Sequence, residues 1–209
     1  MKAPEAAPGG KAAAAAAAAG AQPTAAPAAA QPPVDTGPDP AVRQAFEQAY
    51  QALAAGRKRE AERQFLALTR SNPELGGPHA NLGLIYRQTG RGAEAVDELE
   101  RAVNLGPQRA QYFDQLGIAY REQGQFDKAR AAYERAIELD PNYAEPCLNL
   151  GILYDIYLWD GGRALEYYGR YLALQPSGDE KVTKWIADLR NRERNQGAVK
   201  GALSRREGS

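Results

Sequence analysis

Two stretches of the chain spell the same pattern 34 residues apart. Leu82, Gly83, Tyr86, Gly90, Ala95, Leu99, Ala102 and Pro107 return as Leu116, Gly117, Tyr120, Gly124, Ala129, Tyr133, Ala136 and Pro141. Upstream, Gly56, Ala61, Phe65 and Pro73 keep the register, with Gln48 and Ala49 in place of the Leu-Gly pair. Downstream, Leu150, Gly151 and Tyr154 return on time, while Ala164, Tyr168 and Pro176 arrive one residue late. Self-similarity at this period marks stacked copies of one supersecondary unit. The copies are residues 42–75, 76–109, 110–143 and 144–178.

The recurring residue types say what each copy is. Leu, Gly and Tyr at offsets of one and three lie on one face of a helix. The glycine lets a second helix approach closely. The later Ala, aromatic or Leu, and Ala, spaced by four and three, form the matching face of that second helix. Gly90 and Gly124 fall between the two faces, where a helix C-terminus favours a left-handed residue. Pro107, Pro141 and Pro176 follow the second helix, which proline cannot continue. Each unit is therefore predicted to be two antiparallel helices, neither able to bury its face alone.

The flanks differ from the units. Asp39 and Pro40 read as N-cap and first helical residue. Ser177 through Glu180 reads as a capping box. Val182, Trp185, Ile186 and Leu189 then follow at the spacing of one apolar helix face, with Lys181, Lys184, Asp188 and Arg192 opposite. This predicts a polar-backed capping helix over 178–194, then a flexible tail over 195–209. At the other end, residues 1–40 hold 8 of the 14 prolines, 17 alanines and no aromatic residue. Such a segment has too little large apolar surface to offset chain entropy, and it is predicted to be a disordered tail or linker.

Composition narrows the chemistry. Lys and Arg number 26 and so do Asp and Glu, so there is no basic excess for nucleic acid. No run approaches the ~20 apolar residues of a membrane span. His79 and Cys147 are the only residues of their kinds, too few for a His/Cys metal site. They stand at equivalent places in units two and four, where unit three has Phe113, which predicts that all three plug the same site between helices. No phosphate-binding glycine loop is present. Neither a catalytic group, a metal nor a cofactor is expected.

The spacing, and above all units two and three, resembles the tetratricopeptide repeat (TPR) family. The resemblance covers about two-thirds of the chain and implies an all-α fold. That fold is a right-handed α-solenoid of four helix-turn-helix units with a C-terminal capping helix. Members commonly bind extended peptides or helices on the concave face of the first helices. Some use a carboxylate clamp of Lys, Asn and Arg. Asn81 and Asn149 fall where a clamp asparagine could sit, but Gln111 and Gln115 stand where Lys and Arg are expected, and Phe46 and Tyr50 stand for Lys and Asn. Without those cations a clamp for a carboxylate pair is not expected.

A different groove is predicted instead. Tyr50, Leu84, Ile118 and Ile152 repeat at 34-residue spacing, one residue beyond the Leu-Gly pair, and turn toward the concavity. Phe46, Leu148 and Ile156 lie a helical turn away. Asn81, Arg87, Gln115, Arg121 and Asn149 supply polar neighbours. Trp159, on the lengthened turn of unit four, is a further candidate contact. These residues predict a non-catalytic scaffold for a protein partner; the alternative is a subunit docked permanently in a larger or homo-oligomeric assembly. The Ala/Pro-rich tail is similar to linkers of bacterial envelope lipoproteins and periplasmic TPR proteins, so a periplasmic or envelope location is expected. That expectation implies that a leader with a lipidation cysteine has been removed; the cytoplasm is the alternative.

Overall fold

The computed structural model describes residues 39–207, with side chains through residue 195. The predicted disordered tail lies outside these residues, apart from Asp39 and Pro40. Among the described residues the chain is all helical. Eight helices form four hairpins: α1 (Pro40–Ala54) with α2 (Lys58–Ser71), α3 (Gly76–Gln88) with α4 (Gly92–Leu105), α5 (Ala110–Glu122) with α6 (Phe126–Leu139), and α7 (Glu145–Ile152) with α8 (Gly161–Ala173). A last helix, α9 (Glu180–Glu207), packs on α8. None of the described helices is long and apolar enough to cross a membrane.

Close approach within each hairpin depends on the glycine of the Leu-Gly pair. A methyl group added at Gly83 would lie 2.5 Å from Leu99, and one at Gly117 would lie 2.5 Å from Tyr133. Leu99 and Tyr133 are themselves fully buried, so neither can step aside cheaply. The turns follow the same economy. Gly56, Gly90 and Gly124 all have φ between 72° and 77°, and the residue after each donates to the carbonyl five positions back: Arg57 to Ala52, Arg91 to Tyr86 and Gln125 to Tyr120. Glycine takes that left-handed backbone without steric cost.

Unit four departs here, and its extra residue explains how. The backbone widens into a π turn, Leu153–Tyr157, in which Leu158 N donates to Leu153 O. Asp160 N then donates to Tyr154 O, the equivalent carbonyl, now six positions back. The insertion is thus looped out so that the hairpin still closes on the same group. The left-handed position passes from glycine to Trp159, with φ 55°.

Both ends are capped by aspartates. Asp39 accepts from Ala41 N at 2.8 Å, with Pro40 opening the helix. At α9 the predicted capping box over Ser177–Glu180 is corrected: Asp179 is the acceptor, from Lys181 N at 2.9 Å and Val182 N at 3.1 Å. The helix opens at Glu180, which leaves Ser177 outside the N-cap position. Val182, Ile186 and Leu189 are buried as their spacing predicts, but Trp185 is only partly so, its ring tilted against that of Tyr168 with Lys181 over it. The helix also runs past residue 195, where the sequence pattern ends it, to Glu207.

Candidate functional site

Along the stack α3 packs on α5 and α5 on α7, and Phe46 of α1 lies against Gly77 of α3, so α1, α3, α5 and α7, the first helices of the four hairpins, form one layer, the predicted inner side. The predicted groove residues all sit on these helices or on the π turn that continues α7. Their exposure is uneven. Tyr50 is 51% exposed and Ile156 54%. Leu84, Ile118, Leu148 and Ile152 are partly buried, and all but Leu84 of these lean on the main core cluster. Inter-unit packing therefore takes part of the apolar column that spacing alone would place in solvent. At the first unit, Phe46 stacks edge-on against Phe65 and lines an open hollow of about 450 Å³ with Val42, Leu75 and Pro78.

The polar members are mostly committed to the protein itself. Asn81 donates to Gly77 O on its own helix at 2.9 Å. Arg87 reaches into the next unit, donating to Gln115 Oε1 at 2.9 Å and to both carboxylate oxygens of Glu122. Asn149 donates to Asp114 Oδ1 at 2.8 Å. Arg121, by contrast, forms no ion pair or hydrogen bond with a described side chain, and its Nε is buried without a partner. Asn81 and Asn149 thus do not converge on an open space, and the inner face has no clamp of the kind the family uses.

Asp114 was not among the predicted residues. It is 2% exposed on the inner side of α5, held by Asn149 and by the Tyr143 hydroxyl at 3.3 Å. Burial raises its carboxyl from the usual range to about 6, against the two donated hydrogen bonds that lower it. One signal could have found it. At 34-residue spacing its column reads Phe46, Ala80, Asp114, Leu148, a single acid among apolar residues.

The remaining candidates have structural roles or lie on the turn. His79 is buried with Nδ1 2.6 Å from Glu98 Oε2, and Cys147 is buried with its thiol pushed upward by desolvation, so it is no ready nucleophile. Phe113, at the third equivalent position, is partly buried. Trp159 is 79% exposed beside Tyr157 and Ile156. Among the described residues no three His, Cys, Asp or Glu side chains group as a metal site.

Four stacked helical hairpins, closed by glycines at a fixed interval and backed by a terminal helix, define an α-solenoid repeat protein. The chain belongs to the tetratricopeptide-repeat family: residues 46–110 match the family model described as tetratricopeptide repeat and residues 117–155 the one described as TPR repeat. No curated protein matches the sequence. Solved structures share the fold at low identity. PilF of Pseudomonas aeruginosa is 21% identical, with a TM-score of 0.68 over 74% of this chain and 70% of that one. MamA (residues 41 to the end) of Desulfovibrio magneticus is 17% identical, with a TM-score of 0.66 over 80% and 93%. YrrB, described as a TPR protein with an unusual peptide-binding site, is 23% identical, with a TM-score of 0.61 over 71% and 75%.

Proposed function

We propose that this protein is a non-catalytic scaffold that holds an extended or helical segment of a protein partner along α1, α3, α5 and the π turn after α7, within a bacterial envelope assembly. The observation that carries the proposal is the apolar column that starts at Tyr50 and ends beside Ile156. Tyr50 and Ile156 are each about half exposed, although burial is the ordinary outcome for large apolar groups in a packed stack. The open hollow beside Phe46, lined by Val42, Leu75 and Pro78 and also by Arg43, Glu47 and Arg109, adds a place for partner side chains at the first unit. Binding to a peptide by the solved relative YrrB is consistent with such a use of the fold. The envelope setting rests on the Ala/Pro-rich tail alone, and locating the tagged native gene product by cell fractionation tests it.

The groove is tested with Tyr50→Ser and Ile156→Ser combined. Both side chains are too exposed to hold the core together, so melting should move little, by under about 0.5 kcal/mol per site. Crosslinking in the native cell, read by mass spectrometry, should lose the partner captured by the unaltered protein. An unchanged captured set would overturn the groove reading.

A further inference from the structure

Arg87 and Arg121 stand 34 residues apart on neighbouring inner helices, and their surroundings differ in one respect. Arg87 takes its partners from the unit that follows. Nη1 donates to Gln115 at 2.9 Å, while Nε and Nη2 grip the two oxygens of Glu122 at 3.0 and 2.8 Å. One repeat further on, the corresponding residues are Asn149 and Ile156. The Asn149 amide nitrogen is turned to Asp114, Arg121 makes no hydrogen bond to the Asn149 Oδ1, and the Ile156 side chain offers no acceptor. Arg121 is left without a carboxylate among the described residues.

A second group nearby is also unsatisfied. The Tyr133 hydroxyl is buried without a hydrogen-bond partner among the described residues, and Arg121, Asp114, Arg87 and Glu122 all lie close enough to act on it electrostatically. Of those four charged groups, Arg87 and Glu122 satisfy each other and Asp114 is held by Asn149 and Tyr143. The unspent charge is the guanidinium of Arg121. A partly buried guanidinium has given up water without gaining an anion, which is unfavourable until one arrives. The residue that replaces the missing carboxylate is apolar and exposed, so the position combines one cation with an open apolar surface.

We propose that Arg121 anchors one acidic side chain of a partner segment whose apolar neighbours lie on Ile118, Ile152 and Ile156. This rests on the groove reading above and names its partner chemistry. A carboxylate from the partner does for Arg121 what Glu122 does for Arg87, a planar fork meeting two oxygens. The apolar neighbours supply contact area, and the acid fixes the register of the segment along the groove.

The test uses the full chain and a displayed library of randomised twelve-residue peptides. Selected peptides should carry Asp or Glu at a constant spacing from aliphatic residues. In one such peptide, made synthetically, exchanging the acid for Lys should weaken binding to the unaltered protein by about tenfold or more, the scale of a charge-assisted pair. Against Arg121→Glu the preference should reverse, the Lys peptide binding better than the acidic one. Arg121→Gln, which keeps a polar side chain of similar reach, should bind both peptides alike should the charge reversal not fold. Peptides selected without an acid, or an acid preference that persists in Arg121→Glu and Arg121→Gln, would overturn the assignment. If such peptides still lose binding to the Tyr50→Ser, Ile156→Ser protein, the groove stands and only the anchor falls. If they bind that protein undiminished, both fall.

Discussion

Asp114 makes the inner face sensitive to pH through a single residue. Its folded carboxyl titrates at about 6 because it is buried, whereas the unfolded chain offers it water and an ordinary value of 3.8. The folded protein therefore holds this proton more tightly than the unfolded one. The contribution to stability is fully present below pH 3.8 and is lost as pH rises through about 6, a cost near pH 7 of about 2–3 kcal/mol. Asp114→Asn removes this term while leaving an oxygen for Asn149. Thermal melts at stepped pH should show the variant gaining on the unaltered protein between pH 4 and pH 7. A constant difference across that interval would mean the carboxyl is not desolvated. The residue escaped the sequence pattern because a repeat averages over its copies, and Asp114 differs from its equivalents Phe46, Ala80 and Leu148. Arg121 was legible as a groove residue, but its lack of a partner was not, since that depends on where Asn149 and Ile156 place their side chains.

The element that departs from the repeat is the π turn after α7. One added residue is absorbed there, and the cost moves to Trp159, which takes a left-handed backbone that Gly56, Gly90 and Gly124 occupy in the other units. A non-glycine residue in that region costs roughly 1–2 kcal/mol, and glycine returns part of it by loosening the unfolded chain. Trp159 is too exposed to offset the strain by burial. Trp159→Gly should therefore stabilise the protein by about 0.5–1 kcal/mol, visible as a melting temperature higher by a few degrees. A lower melting temperature would show that the indole packs more than its exposure indicates. The sequence showed the insertion and its approximate place. It could not show a π turn, because the choice between widening a helix and lengthening a loop is settled by keeping the Tyr154 carbonyl paired.

For the whole molecule, composition expects residues 1–40 to add nothing to the stability of the repeats, since they hold no aromatic side chain and little large apolar surface. Removing residues 1–38, so that the Asp39 cap stays, should leave the melting temperature within a degree or two. A fall of ten degrees would show that the tail docks on the stack. What the sequence determined alone was the period, the hairpin in each unit, the glycines at the close approaches and the apolar face of α9. These are legible because each rests on spacing within about one repeat, where helix geometry and hard-sphere contact leave few choices. Tertiary structure decided how the inner face is divided between packing and solvent. Leu84, Ile118 and Ile152 share one sequence position with Tyr50, yet they are buried more deeply than Tyr50, which stays half exposed. Arg87 and Arg121 likewise share a position and differ in every partner. A side chain on an inner helix meets the next unit, whose residues at those offsets are free to change, so its burial and its charge balance belong to the pair of neighbours rather than to the repeat.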